Sequence, residues 1–195
     1  MAFETSIIWF LLSQFSQSTL YRRNGSNACT FIALLLAKFY FLHHKSALSL
    51  SKYMSLHLNW INPFIICISL GKHIHDSVTT GIGQYFSVQK ATPFLGLITG
   101  NVQLETPMVP QSSLGLHLEW LTKEDNLTAV VIMNGMTISL VGQNNNIIVT
   151  DGLLHGQLGA MVGIISVDKV EKLPIFVKQL ISPHFNICSL TFVSY

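Results

Sequence analysis

Charged residues are scarce in this chain. Asp, Glu, Lys and Arg make up 10% of its 195 residues, whereas about 25% is usual for a soluble domain. A formal net charge of +2 and the absence of any basic run argue against nucleic acid as a partner. Because 49% of the residues are hydrophobic, the chain can bury a large core and still leave apolar surface for a protein partner or a homo-oligomer.

The chain has few cysteines. The three cysteines are Cys29, Cys67 and Cys188. An odd number at these wide spacings does not form a disulfide framework, so we expect free thiols in a reducing compartment, the cytoplasm or the nucleus.

Motifs for metals and nucleotides are missing as well. The sequence contains no CxxC, HExxH, GxGxxG or P-loop. The pair His73 and His75, followed by Asp76, has the spacing of metal ligands, but a closed zinc site needs four ligands. We therefore expect neither a metal nor a cofactor.

No apolar run is long enough to cross a bilayer. Residues 28–42 form the longest helix-like run, and it contains Lys38 and falls short of the roughly 20 residues that a membrane span requires. Residues 1–14 are apolar but carry Glu4 and lack the basic start of a signal peptide. These features argue against a membrane protein.

The apolar pattern changes period along the chain. Helices are predicted over 30–44, 46–58, 64–70 and 167–181, and strands over 128–134, 136–141, 147–151, 160–165 and 186–195. Residues 81–110 are interrupted by glycine and proline and are predicted to form loops with one short helix. Helices followed by an antiparallel meander indicate an α+β fold, and the length suits a single domain over residues 1–195.

Cys29 stands between a small polar turn and a nearly all-apolar helix, in 24-NGSNACTFIALLLAKFY-40. Packing explains such a position, because cysteine is among the most buried residue types. Chemistry also explains it, because the positive end of the helix dipole favours a thiolate.

Three further residues suit thiol chemistry. Gln17 lies 12 residues before Cys29, Asp151 ends a predicted strand, and His155 follows four residues later. A cysteine protease needs a thiolate, an imidazole that moves its proton, a group that orients the imidazole, and a donor for the oxyanion.

The order of these segments resembles the papain-fold deubiquitinases of herpesvirus tegument proteins and their relatives. In that family a Gln…Asn-x-Cys start precedes an apolar helix, as 17-QSTLYRRNGSNACTFIALLLA-37 does here. Two strands and an Asp-Ser-His segment follow, for which 130-VVIMNGMTISLVGQNNNIIVTDGLLHGQLGAMV-162 is the counterpart, and 186-NICSLTFVSY-195 suits the closing strand.

The resemblance implies a papain-like fold, in which a buried helix that carries Cys29 packs on an antiparallel sheet. It implies cleavage of ubiquitin or ubiquitin-like conjugates, with Cys29 as nucleophile and His155 as proton shuttle. Asp151 would orient His155, and Gln17 would donate to the oxyanion.

One position departs from the family pattern. The family histidine lies two residues after the aspartate, where this chain has Leu153, and His155 lies two residues further on. If His155 takes over, the protein is a cysteine isopeptidase. If it does not, the same fold is a catalytically inactive pseudo-protease that acts as a protein-binding or scaffold module.

Overall fold

A computed structural model describes most of the chain. The described ranges are 6–22, 26–42, 58–80, 84–95, 101–110, 117–123, 127–143, 145–173, 175–176 and 187–194. The helices are α1 (Cys29–Leu42), α2 (Leu58–Val78) and α3 (Val88–Ala91). The strands are β1 (Ser6–Leu12), β2 (Asn101–Pro110), β3 (Leu127–Met133), β4 (Met136–Gln143), β5 (Asn146–Asp151), β6 (Leu158–Ser166) and β7 (Ile187–Ser194). Short 3-10 helices cover Leu20–Arg22, Thr92–Leu95, Glu119–Thr122 and Val167–Lys172.

The seven strands form one sheet in the order β1-β6-β5-β4-β3-β7-β2, and every neighbouring pair is antiparallel. The predicted hairpin at Asn134 and Gly135 is confirmed. Both residues have positive φ, 52° and 74°. Two positive φ values match the twist of the flanking strands, and Asn-Gly is the pair that adopts them most readily.

Helix α1 is buried between the sheet and α2. Its residues Ile32 and Leu36 belong to one apolar cluster with Phe64 of α2 and with Ile148 and Val162 of the sheet. A helix enclosed in this way needs apolar residues on every side, which explains its composition. The predicted α+β fold, with a buried helix on an antiparallel sheet, is thus confirmed.

The sheet face that α1 covers is partly polar. Five buried hydroxyl side chains of the sheet are Thr128, Thr137, Ser139, Thr150 and Thr191. On β4, Thr137 and Ser139 alternate with Ile138 and Leu140, which pack into the apolar cluster on the opposite face.

Two helix boundaries differ from the prediction. Helix α2 begins at Leu58 and contains Pro63, whereas a start at 64 was expected, and it continues past Gly71 to Val78. A Cβ on Gly71 would lie 2.6 Å from Ile32 Cγ1, so this glycine allows α1 and α2 to pack closely and does not end the helix. The predicted helix over 46–58 lies almost entirely outside the described residues.

Two strands, β1 and β2, were not predicted. β1 and β2 are the edges of the sheet, where the prolines of β2 are tolerated because one side of an edge strand needs no ladder hydrogen bonds.

The start of the predicted helix over 167–181 is the 3-10 helix Val167–Lys172, and residues 177–186 are not described. Within the described ranges, no helix combines the length and the apolar character that crossing a membrane requires.

Candidate active site

Cys29 is the first residue of α1, and its side chain is 4% exposed. The thiol donates a hydrogen bond to the Gly135 carbonyl oxygen over 3.2 Å. Its sulphur accepts one from the Thr137 hydroxyl over 3.3 Å. The β3–β4 hairpin therefore holds the thiol from both directions.

Several influences act on the ionisation of this thiol, and their sum raises its pKa. Burial is the largest cause, because it removes solvent from the charged form. Hydrogen bonds from Thr137 and Thr30 lower the pKa, and the charge of Asp151 raises it. Since the ordinary value is 9.0, the thiol is protonated at neutral pH in this conformation.

Asp151 and His155 come together at the end of β5. Asp151 is fully buried, and its Oδ1 accepts a hydrogen bond from the Leu153 backbone N–H over 2.8 Å. His155 Nε2 lies 3.3 Å from Asp151 Oδ2. These two atoms are within ion-pair distance but are not aligned for a hydrogen bond.

A tight turn gives His155 this position. The strand ends at Asp151 and does not continue to 155. His155 and Leu158 exchange two backbone hydrogen bonds of 2.8 and 2.9 Å around Gly156, which has a φ of +60°. The imidazole packs edge-on against the ring of Phe10, with centroids 5.5 Å apart.

Gln17 is buried in the loop that follows β1. Its side-chain Nε2 donates to the Ser26 carbonyl oxygen over 2.7 Å, and its backbone N–H donates to the Gly152 carbonyl oxygen over 2.7 Å. Its Oε1 is buried without a hydrogen-bond partner. Gln17 thus links the segment before Cys29 to the residue that follows Asp151.

The thiol and the imidazole have different neighbours. Asp151 is opposite Met161, and Met161 is opposite Phe10, in one row that belongs to the apolar face away from α1. Cys29 and Thr137 lie on the face that α1 covers. Among the described residues, the hydrogen-bond partners of the thiol do not include His155.

Two threonines next to the thiol were not predicted from the sequence. The Thr30 hydroxyl donates to the Phe86 carbonyl oxygen over 2.7 Å and lies 3.2 Å from the Thr137 hydroxyl oxygen. A signal exists in 136-MTISLV-141, where hydroxyls alternate with apolar residues. Alternation alone suggests that the polar face meets solvent, and here that face meets α1.

The His73 and His75 pair does not form a metal site with Asp76. His73 is exposed, whereas His75 is buried with Nε2 3.0 Å from the Gln84 carbonyl oxygen. His75 Nδ1 lies 3.6 Å from Asp76 Oδ1. No group of three His, Cys, Asp or Glu residues in the described part of the chain could hold a metal ion.

No protein-family model and no curated protein sequence matches the chain. Solved structures do. The ubiquitin-specific protease encoded by the murine cytomegalovirus tegument protein M48, determined in complex with a ubiquitin-based suicide substrate, is 10% identical with a TM-score of 0.61. The similarity covers 97% of this chain and 85% of the protease.

A second similar structure is the Pseudomonas avirulence protein AvrPphB, a cysteine protease. It is 11% identical with a TM-score of 0.52, over 87% of this chain and 92% of AvrPphB. These likenesses concern the fold, and they agree with the fold that the sequence resemblance implied. The chain therefore has the papain-like cysteine protease fold.

Proposed function

We propose that residues 1–195 form a single papain-like domain that acts as a thiol isopeptidase on conjugates of ubiquitin or a ubiquitin-like modifier. Cys29 is the nucleophile, and His155 carries its proton. Asp151 orients His155, and Gln17 donates to the oxyanion.

The contact between His155 Nε2 and Asp151 Oδ2, at 3.3 Å, carries this proposal. It supplies a carboxylate–imidazole pair at the end of β5 although Leu153 occupies the family's histidine position. With Nε2 turned to the carboxylate, Nδ1 is the ring nitrogen that can take the proton of a thiol.

The reaction is an acyl transfer. Cys29 Sγ attacks the carbonyl carbon of the modifier's C-terminal glycine, and the thiol proton passes to His155. The tetrahedral intermediate collapses to a thioester, and the leaving amine takes the proton back from His155. Water then attacks the thioester, which releases the modifier's carboxylate and restores the thiol.

The first step needs a rearrangement. The thiol hydrogen points at the Gly135 carbonyl oxygen, and the amide of Gln17 is bonded to the Ser26 carbonyl oxygen. Binding of an extended modifier tail would have to release the thiol from Gly135 and bring it to the imidazole. Conformational changes that complete a catalytic site on substrate binding are common among enzymes.

The pseudo-protease remains a second candidate, and a specific observation favours it. Burial raises the pKa of the Cys29 thiol, and its partners are a backbone carbonyl and a hydroxyl. A thiol in this state is a weak nucleophile. The same fold would then bind a modifier without cleaving it.

Ubiquitin with a C-terminal propargylamide distinguishes the candidates, because it traps a reactive site cysteine covalently. We expect the wild-type protein to form an adduct that is lost in Cys29→Ala and in His155→Ala. His73→Ala replaces an exposed histidine of α2 and serves as the matched control, with adduct formation unchanged.

Each outcome has a separate meaning. An adduct that depends on Cys29 alone removes His155 from the mechanism. Binding of ubiquitin in a calorimetric titration without any adduct establishes the pseudo-protease. If neither binding nor an adduct is found with ubiquitin or with ubiquitin-like modifiers, the proposed substrate class is wrong.

A further inference from the structure

A chain of hydroxyl groups runs from α1 to the sheet beside the candidate nucleophile. The Thr30 hydroxyl donates its hydrogen to the Phe86 carbonyl oxygen over 2.7 Å. The Thr137 hydroxyl lies 3.2 Å from Thr30 Oγ1 and 3.3 Å from Cys29 Sγ. Both threonines are buried, so water does not compete for these groups.

The number of hydrogens on each hydroxyl limits the hydrogen bonds that it can donate. A threonine hydroxyl has one hydrogen to donate. Thr30 commits its hydrogen to Phe86, which leaves Thr30 Oγ1 as an acceptor for Thr137. The hydrogen of Thr137 can therefore point either to Thr30 Oγ1 or to Cys29 Sγ, and a rotation of the hydroxyl changes between them.

We propose that Thr137 is a positioning residue whose hydroxyl holds the Cys29 thiolate. When the thiol is neutral, it donates to the Gly135 carbonyl oxygen, and Thr137 has two similar acceptors. When the sulphur is charged, it becomes the stronger acceptor, because hydrogen bonds to ionised groups are roughly twice as strong as neutral ones. The Thr30 side chain and the Thr30 backbone N–H, at the start of α1, also lower the pKa of this thiol.

This inference rests on the proposed function only in treating Cys29 as the nucleophile. It adds the Thr137 hydroxyl, which contacts Cys29 Sγ from the sheet. Among the described residues, His155 forms no hydrogen bond to this sulphur. Among the described residues, the ionisable side chains on the elements packed around α1 are Asp151 and His155 at or after the end of β5, Cys67, Lys72, His73, His75 and Asp76 on α2, and Lys90 on α3, while α1 itself carries Lys38 and Tyr40. Of these, Asp151 opposes ionisation of the thiol.

The ionisation of Cys29 can be followed without substrate. The carbon-13 chemical shift of the cysteine Cβ reports thiolate formation, and Cys29→Ser assigns the signal. Titration of the full chain from pH 6 to 10.5 should give an apparent pKa for Cys29 that rises by about one unit in Thr137→Val, since a hydrogen bond to a charged group is lost.

Two variants make the test specific. Thr137→Ser keeps the hydroxyl and should restore the wild-type titration. Thr128→Val removes another buried hydroxyl of the same sheet face, one that donates to the Val193 carbonyl oxygen over 3.1 Å, and should leave the titration unchanged. If Thr137→Val does not fold, Thr137→Ala removes the same hydroxyl without adding bulk.

Three results overturn the inference: an unchanged titration in Thr137→Val or Thr137→Ala, no rescue by Thr137→Ser, or an equal shift in Thr128→Val. A wild-type thiol that stays neutral to pH 10.5 overturns it as well, because no donor then holds a thiolate. Failure of the proposed function is a different observation, since it concerns adducts with ubiquitin. A protein that forms no adduct can still show the shift.

Discussion

Cys29 is distinguished from the other two cysteines by its neighbours. Burial raises the pKa of Cys67 to about 12 and that of Cys188 to about 11. The pKa of Cys29 is also raised by burial, but hydrogen bonds from Thr137 and Thr30 oppose the effect. Its position at the start of α1 adds the favourable end of the helix dipole. All three thiols are buried, and at Cys29 hydrogen bonds from Thr137 and Thr30 act against the effect of burial.

Gly159 fixes the loop that carries Gln17. A Cβ at this position would lie 2.2 Å from the Leu12 carbonyl oxygen and 2.7 Å from that of Phe15. Both are backbone atoms, and Phe15 O accepts a hydrogen bond from Ala160 N–H, so the loop has to move. We expect Gly159→Ala to lower the free energy of unfolding by about 1–3 kcal/mol, as overpacking does, and to slow the adduct with the ubiquitin probe.

Gly156→Asn is the matched control, in the connection that leads into β6. Nothing lies within 4 Å of a Cβ at this position, and asparagine tolerates a φ of +60°. Urea denaturation should give nearly wild-type stability for Gly156→Asn. Equal stability of Gly159→Ala and the wild type would show that the loop accommodates the methyl group.

Polar side chains on the sheet face under α1 form hydrogen bonds with each other. Ser139 on β4 and Thr150 on β5 are directly opposite and share a buried hydrogen bond. Replacing one partner leaves the other buried without this bond, at a cost of about 1–3 kcal/mol. Replacing both removes the unsatisfied group.

A double-mutant cycle tests this pair. We expect Thr150→Val and Ser139→Ala each to lower the free energy of unfolding, and the double variant to be destabilised by less than the sum of the two. Chemical denaturation of the four proteins gives the coupling. Strictly additive effects would mean that the two hydroxyls do not depend on each other.

The inner strands could be predicted from the sequence, and the edges could not. β3, β4 and β5 were found within two residues of their bounds, because apolar runs and the Asn134-Gly135 turn dictate them locally. β2 contains Pro107 and Pro110, which argue against a strand unless it is known to be an edge. That knowledge depends on the order of strands, which no local pattern contains.

Helix α2 continues past a residue that usually ends a helix. Gly71 suggested the end of a helix, yet packing of α1 and α2 requires a residue without a side chain at their contact. Propensity is a weak guide when a close contact decides the residue.

Across the whole molecule, the candidate site could be predicted only in part. Sequence resemblance singled out Cys29, Asp151, His155 and Gln17, and their roles stay a prediction. The structure brings Asp151 and His155 together through a turn that no spacing rule anticipates. Thr137 reaches Cys29 across 108 positions of sequence, so its contact depends on the register of the assembled sheet.

The buried thiols predict how the whole protein responds to alkali. In the folded protein, the pKa values of Cys67 and Cys188 are raised above the ordinary 9.0. Between pH 9 and the raised pKa, a thiol therefore loses its proton in the unfolded chain but keeps it in the folded protein. The free energy of unfolding should therefore be unaffected by these groups below pH 9. Above pH 9, each thiol lowers the free energy of unfolding by about 1.4 kcal/mol per pH unit, until the pH reaches the pKa of that thiol in the folded protein.

Cys67→Ala isolates one of these contributions. Denaturant melts from pH 8 to 10.5 should show a shallower decline for Cys67→Ala than for the wild type, whatever the difference between them at pH 8. Parallel declines would mean that Cys67 ionises as easily in the folded protein as in the unfolded chain.

The pairing of β1 with β6 also affects when the candidate active site can form. β1 pairs with β6, with Ser6 opposite Ile165, so the two strands close a loop that contains most of the chain. Long-range pairings of this kind raise the contact order, and proteins of high contact order fold more slowly. Gln17 follows β1 and is tied to Gly152 and, through Phe15, to Ala160. Gln17, the proposed oxyanion donor, precedes Cys29 in the chain, but the loop that carries it can make these bonds only after synthesis has reached Ala160.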